Sequence, residues 1–204
     1  MRPLERRLDR AGYRVHNLGY PSMRAEPRAL IEHVADSVAQ RCGAARRLHF
    51  VTHSLGGILT RAYLAEGRPS GLGRVVMLAP PNHGSEYVDR MGRWPLFEPI
   101  LGPTAPHLGT SPESLPNRLP PADFELGVIA GTGNLNPLSH SVLEGPHDGT
   151  VRLDSARLEG MRDFIALPVS HTFIMRSPEV ARQVLCFLRE GRFDHAPGDG
   201  PADD

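Results

Sequence analysis

The feature that most constrains the fold is an apolar run that passes through a serine into a glycine-containing helix start. Residues 48–51 (Leu-His-Phe-Val) are typical of a buried strand, and residues 55–59 (Leu-Gly-Gly-Ile-Leu) of a helix beginning. A sharp strand-to-helix turn at Ser54 needs small neighbours two positions away on either side. Gly56 meets this need, whereas Thr52 is larger and β-branched. The pattern predicts a strained turn that presents the Ser54 hydroxyl as a nucleophile.

Strands alternate with helices along the rest of the chain. Apolar residues recur at helical spacing over residues 3–11, 30–39 and 55–64, and a last helix begins at Pro178 with Ser177 as its cap. Strand patterns cover residues 13–18, 47–52, 74–79, 124–130 and 164–169. This alternation predicts an α/β fold, with a mostly parallel, doubly wound sheet that has helices on both faces.

Two segments interrupt the alternation. Residues 81–123 hold nine prolines together with apolar side chains such as Trp94, Phe97 and Leu108. A connection of this length is typical of a lid or binding loop, although its apolar residues could instead form a small core of their own. Residues 191–204 have little to bury, which predicts a disordered tail. The sequence therefore predicts a single domain over residues 1–190 with a lid-like insertion at 81–123.

Composition argues against several classes of function. The 204 residues carry a formal net charge of +0 and no basic stripe, which argues against a nucleic-acid partner. No apolar run approaches the length of a membrane span. The two cysteines, Cys42 and Cys186, are far apart, which disfavours a disulfide scaffold and a cysteine-based zinc site. The N-terminus has no apolar secretory core, so the chain as given is predicted to be cytoplasmic.

A serine nucleophile needs a base beside it, and that base needs an acid to orient it. In a parallel sheet these residues come from loops at the carboxyl ends of the strands. Of the ten histidines, His171 follows the last predicted strand and precedes the C-terminal helix. Asp148 lies in the loop after the preceding predicted strand. The sequence therefore predicts a constellation of Ser54, His171 and Asp148.

Other residues compete for these roles. Asp154 and Glu144 lie in the same loop as Asp148, and the pair Asp148–Gly149 is also an ordinary turn dipeptide. Three further histidines lie close enough in sequence to the proposed site to be confused with the base, and we interpret them as packing or structural residues: His53, His83 and His147.

Four segments of the chain resemble the corresponding segments of bacterial lipases and esterases of the α/β-hydrolase superfamily. They are residues 50–57 (FVTHSLGG), 79–85 (APPNHGS), 148–151 (DGTV) and 169–173 (VSHTF). The chain order of serine, acid and histidine is also that of the superfamily. The resemblance implies hydrolysis of carboxylic esters by Ser54, His171 and Asp148, with the backbone N–H of Leu55 binding the oxyanion. It implies a small-molecule or lipid ester as substrate, transient contact with a lipid surface, and neither a cofactor nor a metal.

The family pattern begins earlier than this chain does. A strand that ends in a His-Gly pair normally precedes the helix that here starts at Met1, and that loop resembles the source of a second oxyanion donor. Losing one such donor costs on the order of 10²–10³ in rate. We therefore expect the gene product to begin upstream of Met1, where a signal peptide for secretion would also lie. The alternatives are an acyltransferase with the same three residues and a catalytically inactive binding protein of this fold.

Overall fold

A sheet of four parallel strands forms the centre of the molecule in a computed structural model that describes residues 1–20, 25–91, 104–134, 139 and 142–195. The strands are β1 (Leu48–His53), β2 (Leu72–Leu78), β3 (Leu126–Gly131) and β4 (Asp163–Leu167). They lie side by side in chain order, and all three neighbouring pairs are parallel. The carboxyl ends of the four strands therefore meet at one edge of the sheet.

Helices pack on both faces of this sheet, as predicted. In chain order they are α1 (Arg2–Arg10), α2 (Pro27–Cys42), α3 (Leu55–Glu66), α4 (Glu86–Met91), α5 (Leu115–Arg118), α6 (Leu153–Ala156) and α7 (Pro178–Glu190), with 3₁₀ turns at Ala105–Leu108 and Ile174–Arg176. Leu78 of β2 packs with α1 and α7 on one face, whereas the adjacent Met77 packs with α3 and α6 on the other. Because residues 75–78 of β2 and all of β3 are buried on both faces, these stretches carry only apolar residues and glycine. The predicted α/β class is confirmed.

The predicted start of the last helix is also confirmed. The Ser177 hydroxyl accepts a hydrogen bond from the backbone N–H of Val180 at 3.3 Å, and Pro178 is the first helical residue. Gly191 ends the helix with φ of 77°, and its N–H donates to the carbonyl of Phe187. These caps fix α7 against the face of the sheet that α1 also covers.

Residues 13–18 are not a strand, contrary to the prediction. They follow α1 without helix or strand, and no strand among the described residues pairs with them. Tyr13 and Val15 instead pack against the apolar cluster under α1, and the Tyr13 ring meets His49 of β1 edge-on, with the ring centroids 6.0 Å apart. The alternation of the sequence therefore reflects the partial burial of Tyr13 and Val15 beside the exposed Arg14 and His16.

The chain beyond Gly191 also differs from its prediction as a disordered tail. Phe193 is 2% exposed, and its ring lies 5.0 Å from that of Phe187 in α7. The N–H of Phe193 donates to Asp163 at 2.6 Å, and His195 pairs with the other oxygen of the same carboxylate at 2.8 Å. The prediction is therefore wrong for residues 191–195. The buried ring of Phe193 and the carboxylate of Asp163 attach this segment to the rest of the domain. Residues 196–204 lie outside the described residues.

Arg61 of α3 holds both ends of the predicted insertion. Its side chain is buried, and one guanidinium nitrogen donates to the backbone and side-chain oxygens of Asn82 at 3.1 and 3.2 Å. The other terminal nitrogen donates to the carbonyls of Leu119 and Pro120 at 3.2 and 3.3 Å. Burial lowers the pKa of Arg61 to about 10, which leaves it protonated at neutral pH. Residues 92–103 lie outside the described residues, so the lid-like role of the insertion stays a prediction.

We predict that Phe193→Ala lowers the free energy of unfolding by about 3 kcal/mol, because it removes a buried aromatic ring and leaves a cavity beside Phe187. Urea denaturation followed by circular dichroism measures the change. The control is Phe173→Ala, at a phenylalanine that is 42% exposed, where the expected change is within about 0.5 kcal/mol. Equal stabilities of the two variants would show that residues 191–195 are not part of the cooperative unit.

Candidate active site

Ser54 lies between β1 and α3 in a backbone conformation that few non-glycine residues adopt. Its φ and ψ are 54° and −126°. The Ser54 N–H donates to the carbonyl of Leu78 in β2, and the Ser54 carbonyl accepts from the N–H of Gly57, both at 2.9 Å. Ala79, directly after β2, is the other non-glycine residue with a positive φ in the described part of the chain. Backbone strain is thus concentrated at the carboxyl edge of the sheet, where loops carry function in such folds.

Gly57 allows α3 to pack closely against the end of β2. A Cβ atom on Gly57 would lie 3.1 Å from the side chain of Pro80 and 3.3 Å from the sulfur of Met77, both closer than most Cβ contacts. The same atom would lie 3.5 Å from the Thr52 hydroxyl oxygen, which is an ordinary van der Waals distance. The glycine at position 57 is therefore required by Met77 and Pro80 rather than by Thr52.

His171 lies between Ser54 and Asp148. Its Nε2 is 3.0 Å from the Ser54 Oγ, and its Nδ1 is 2.7 Å from an oxygen of the Asp148 carboxylate. The Asp148 side chain is 1% exposed and that of His171 is 14% exposed, so solvent reaches the histidine but not the acid. The structure thus brings together the three residues that the sequence predicted. In this arrangement Nε2 can take the hydroxyl proton while the carboxylate holds the proton on Nδ1.

The loop after β3 supplies the remaining hydrogen bonds of the Asp148 carboxylate. Its second oxygen accepts from the backbone N–H groups of Thr150 at 3.0 Å and Val151 at 2.8 Å. A buried carboxylate needs such donors, since burying an unpaired charge is costly. The turn that follows Asp148 therefore supplies the donors for one carboxylate oxygen. The other oxygen is left to bond His171.

The competing candidates lie elsewhere. Asp154 is exposed and pairs with Arg152 at 3.4 Å, and Glu144 is exposed. His83 is exposed as well, whereas His147 is buried in the acid loop, where its Nδ1 accepts a backbone N–H. The histidine that contacts Ser54 is His171.

Gly131 permits the close approach of the acid loop and the histidine loop. It is the last residue of β3, and a Cβ atom there would lie 2.4 Å from the carbonyl oxygen of Val169 and 2.8 Å from the Asp148 Cβ. The N–H of Gly133 also donates to the Val169 carbonyl at 3.0 Å. Sequence reasoning missed this contribution, although a Gly-Thr-Gly run directly after a strand was the available signal.

The described part of the chain offers little for a metal ion or a membrane span. No group of three or more histidine, cysteine, aspartate or glutamate side chains there is placed to hold a metal. No helix in the same residues combines the length and apolar character needed to cross a bilayer. Cys42 and Cys186 are both free thiols.

Several solved structures share this architecture. A lipase from Bacillus licheniformis in its mature form matches with a TM-score of 0.61 and 19% sequence identity, over 84% of this chain and 76% of the lipase. A phospholipase from Legionella pneumophila matches with a TM-score of 0.67 and 18% identity, over 89% of this chain and 52% of the phospholipase. A metagenomic carboxyl esterase matches with a TM-score of 0.60 and 19% identity, over 84% and 58% of the two chains. The chain has the α/β-hydrolase fold.

The likeness lies in the fold rather than in the sequence. No protein-family model matches the chain, and no curated protein matches it in sequence. The chain spans 76% of the mature lipase but little more than half of the phospholipase and the esterase.

One further histidine of this α/β-hydrolase fold contacts the site, and the sequence had suggested only a packing role for it. His53 lies at the end of β1, and its Nε2 is 3.0 Å from the carbonyl oxygen of His171. The centroids of the His53 and His171 rings are 4.8 Å apart. Burial, with a smaller contribution from His171, lowers the pKa of His53 to about 4, so its ring is neutral at neutral pH. Its position next to Ser54 was the available signal.

Proposed function

We propose that this chain is a serine hydrolase of carboxylic esters, with Ser54 as nucleophile, His171 as general base and Asp148 as the acid that orients it. The observation that carries the proposal is the unbroken line of two hydrogen bonds, 2.7 Å from Asp148 to His171 and 3.0 Å from His171 to Ser54. The strained turn at Ser54 supports it, because that turn has a cost in stability that packing alone does not explain. The similar structures, which include a lipase, a phospholipase and a carboxyl esterase, support an ester as the substrate.

The proposed reaction has two halves that use the same nitrogen. His171 Nε2 takes the proton of the Ser54 hydroxyl as Oγ attacks the ester carbonyl carbon, and Asp148 stabilises the resulting imidazolium. His171 then gives this proton to the departing alkoxide, which leaves an acyl ester on Ser54. A water molecule attacks the acyl carbonyl carbon while the same Nε2 takes its proton. His171 then gives that proton to Ser54 Oγ as the acyl–Oγ bond breaks, which releases the carboxylic acid and restores the serine hydroxyl.

The start of α3 provides for the negative charge that forms on the carbonyl oxygen. Leu55 is the first residue of this 12-residue helix, so its N–H has no partner inside the helix. The N-terminal end of the helix dipole also favours negative charge. In the proposed mechanism the Leu55 N–H donates to the oxyanion.

Contact with a lipid surface is part of the proposal. Phe173, two residues after His171, is 42% exposed and is the one large hydrophobic side chain exposed in the described residues. It borders a shallow depression together with Val169 and Arg176, and the Arg176 guanidinium lies 5.1 Å from its ring. An aromatic ring beside a cation suits the boundary between acyl chains and anionic headgroups. The proposed substrate is therefore an ester with an apolar acyl chain, met at an anionic surface.

Ser54→Ala is expected to abolish labelling by a fluorophosphonate probe and to lower p-nitrophenyl ester hydrolysis by at least about 10³-fold, because the attacking oxygen is lost. Ser70→Ala, at an exposed serine, is the control and should match the parent chain. Labelling that persists in Ser54→Ala would place the nucleophile elsewhere. A parent chain that is neither labelled nor active would contradict the proposed activity of this chain.

Asp148→Asn is expected to lower kcat by on the order of 10³–10⁴, because an amide favours the wrong tautomer of His171. Asp154→Asn is the matched control, since Asp154 is close to Asp148 in sequence but lies in α6 and is exposed. Steady-state kinetics on a soluble p-nitrophenyl ester compare the two variants. A large loss in Asp154→Asn and none in Asp148→Asn would transfer the role of the acid to Asp154.

Phe173→Ala is expected to lower the ratio of turnover on a long-chain ester in phosphatidylglycerol vesicles to turnover on soluble p-nitrophenyl acetate. The physical reason is the loss of apolar area that would enter the lipid surface. Phosphatidylcholine vesicles serve as the control for the contribution of Arg176. An unchanged ratio in both vesicle types would argue against this surface as the lipid contact.

A further inference from the structure

His53 joins the nucleophile to the histidine loop by two connections of different kinds. It is bonded to Ser54 through the peptide backbone, and its Nε2 lies 3.0 Å from the carbonyl oxygen of His171. A carbonyl oxygen only accepts hydrogen bonds, so Nε2 carries the hydrogen and donates it. The neutral ring that this tautomer requires is the form that burial favours.

This hydrogen bond joins two segments that follow the outermost strands of the described sheet. Ser54 follows β1 and His171 follows β4, and these strands are the two outer members of the order β1–β2–β3–β4. The loop after β4 must therefore reach across the ends of β3 and β2 to bring His171 within 3.0 Å of Ser54. The position of the His171 side chain therefore depends on the contacts that hold this loop next to Ser54.

The remaining hydrogen bonds of His171 to the protein point toward the acid. Its backbone N–H donates to the Asp148 carbonyl at 2.9 Å, and its Nδ1 bonds the Asp148 carboxylate at 2.7 Å. Both bonds fix His171 relative to the loop after β3, not relative to β1. Among the described residues, the bond from His53 is the one that ties the backbone of His171 to the segment carrying Ser54.

We propose that His53 is a positioning residue, whose Nε2–H donates to the His171 carbonyl and thereby sets the distance between His171 Nε2 and Ser54 Oγ. This inference rests on the proposed function, in which these two atoms exchange a proton. A neutral His53 also suits the reaction, because its ring lies 4.8 Å from the His171 ring that becomes an imidazolium. A second positive charge at that distance would oppose the first.

Three substitutions separate the hydrogen bond from the volume of the ring. His53→Gln places an amide N–H at about the reach of Nε2 and keeps the donor. His53→Asn carries the same amide on a shorter side chain, near the position of Nδ1, and does not reach the carbonyl. His53→Phe keeps an aromatic ring and removes the donor.

The measurements are kcat and KM on a soluble p-nitrophenyl ester and the rate of fluorophosphonate labelling, each for the full 204-residue chain. We expect kcat and the labelling rate to fall by about 10- to 100-fold in His53→Phe and His53→Asn, because a small displacement of a catalytic group costs this much. KM should change little, and His53→Gln should recover most of the lost rate. A role in packing alone would lower the melting temperature without this pattern.

The proposal is overturned if His53→Phe is as active as the parent, or if His53→Gln and His53→Asn are equally impaired. Should His53→Phe not unfold cooperatively, the comparison of the two amide variants decides. Failure of the proposed function looks different. In that case the parent chain itself is not labelled, or Ser54→Ala remains active.

Discussion

The positive φ of Ser54 is the constraint on which the rest of the site depends. The chain passes from β1 to α3 within a single residue, in a conformation that costs about 1–3 kcal/mol for a side chain of this kind. The pairing of Ser54 with Leu78 of β2 and the bond from Gly57 hold it there. Gly57 also lies against Met77 of β2 and Pro80, because a Cβ atom there would be only 3.3 and 3.1 Å from them.

The site also depends on the alignment of every strand pair, because its residues come from three of the four strand ends. Ser54 follows β1, Asp148 follows β3 and His171 follows β4. The registers place His53 opposite Leu78, Leu78 opposite Ile129, and Gly131 opposite Leu167. A slip of one residue in any pair would turn the side chains of that strand to the opposite face. A slip in any one pair would therefore displace at least one of the three residues from the hydrogen-bonded line.

The sequence was sufficient for the parts of this arrangement that parallel topology dictates. Strand ends meet at one edge, so a serine, an acid and a histidine placed after strands could be expected to converge. The predictions were wrong where the local sequence pattern does not determine which contacts a residue makes in the folded chain. Alternation over residues 13–18 reflects burial on one side and not pairing with another strand. The one buried ring of the C-terminal segment, Phe193, stands among glycine and charged residues, so the composition of that segment did not predict its burial. The bond of His53 joins residues 118 positions apart, and no local pattern encodes it.

The guanidinium of Arg61 ties the two ends of the insertion to one point of the fold. Asn82 at one end and the carbonyls of Leu119 and Pro120 at the other accept hydrogen bonds from the same side chain of α3, the helix that Ser54 begins. Loss of that one cation would therefore leave four oxygen acceptors, two at each end of the segment, without their donor at the same time.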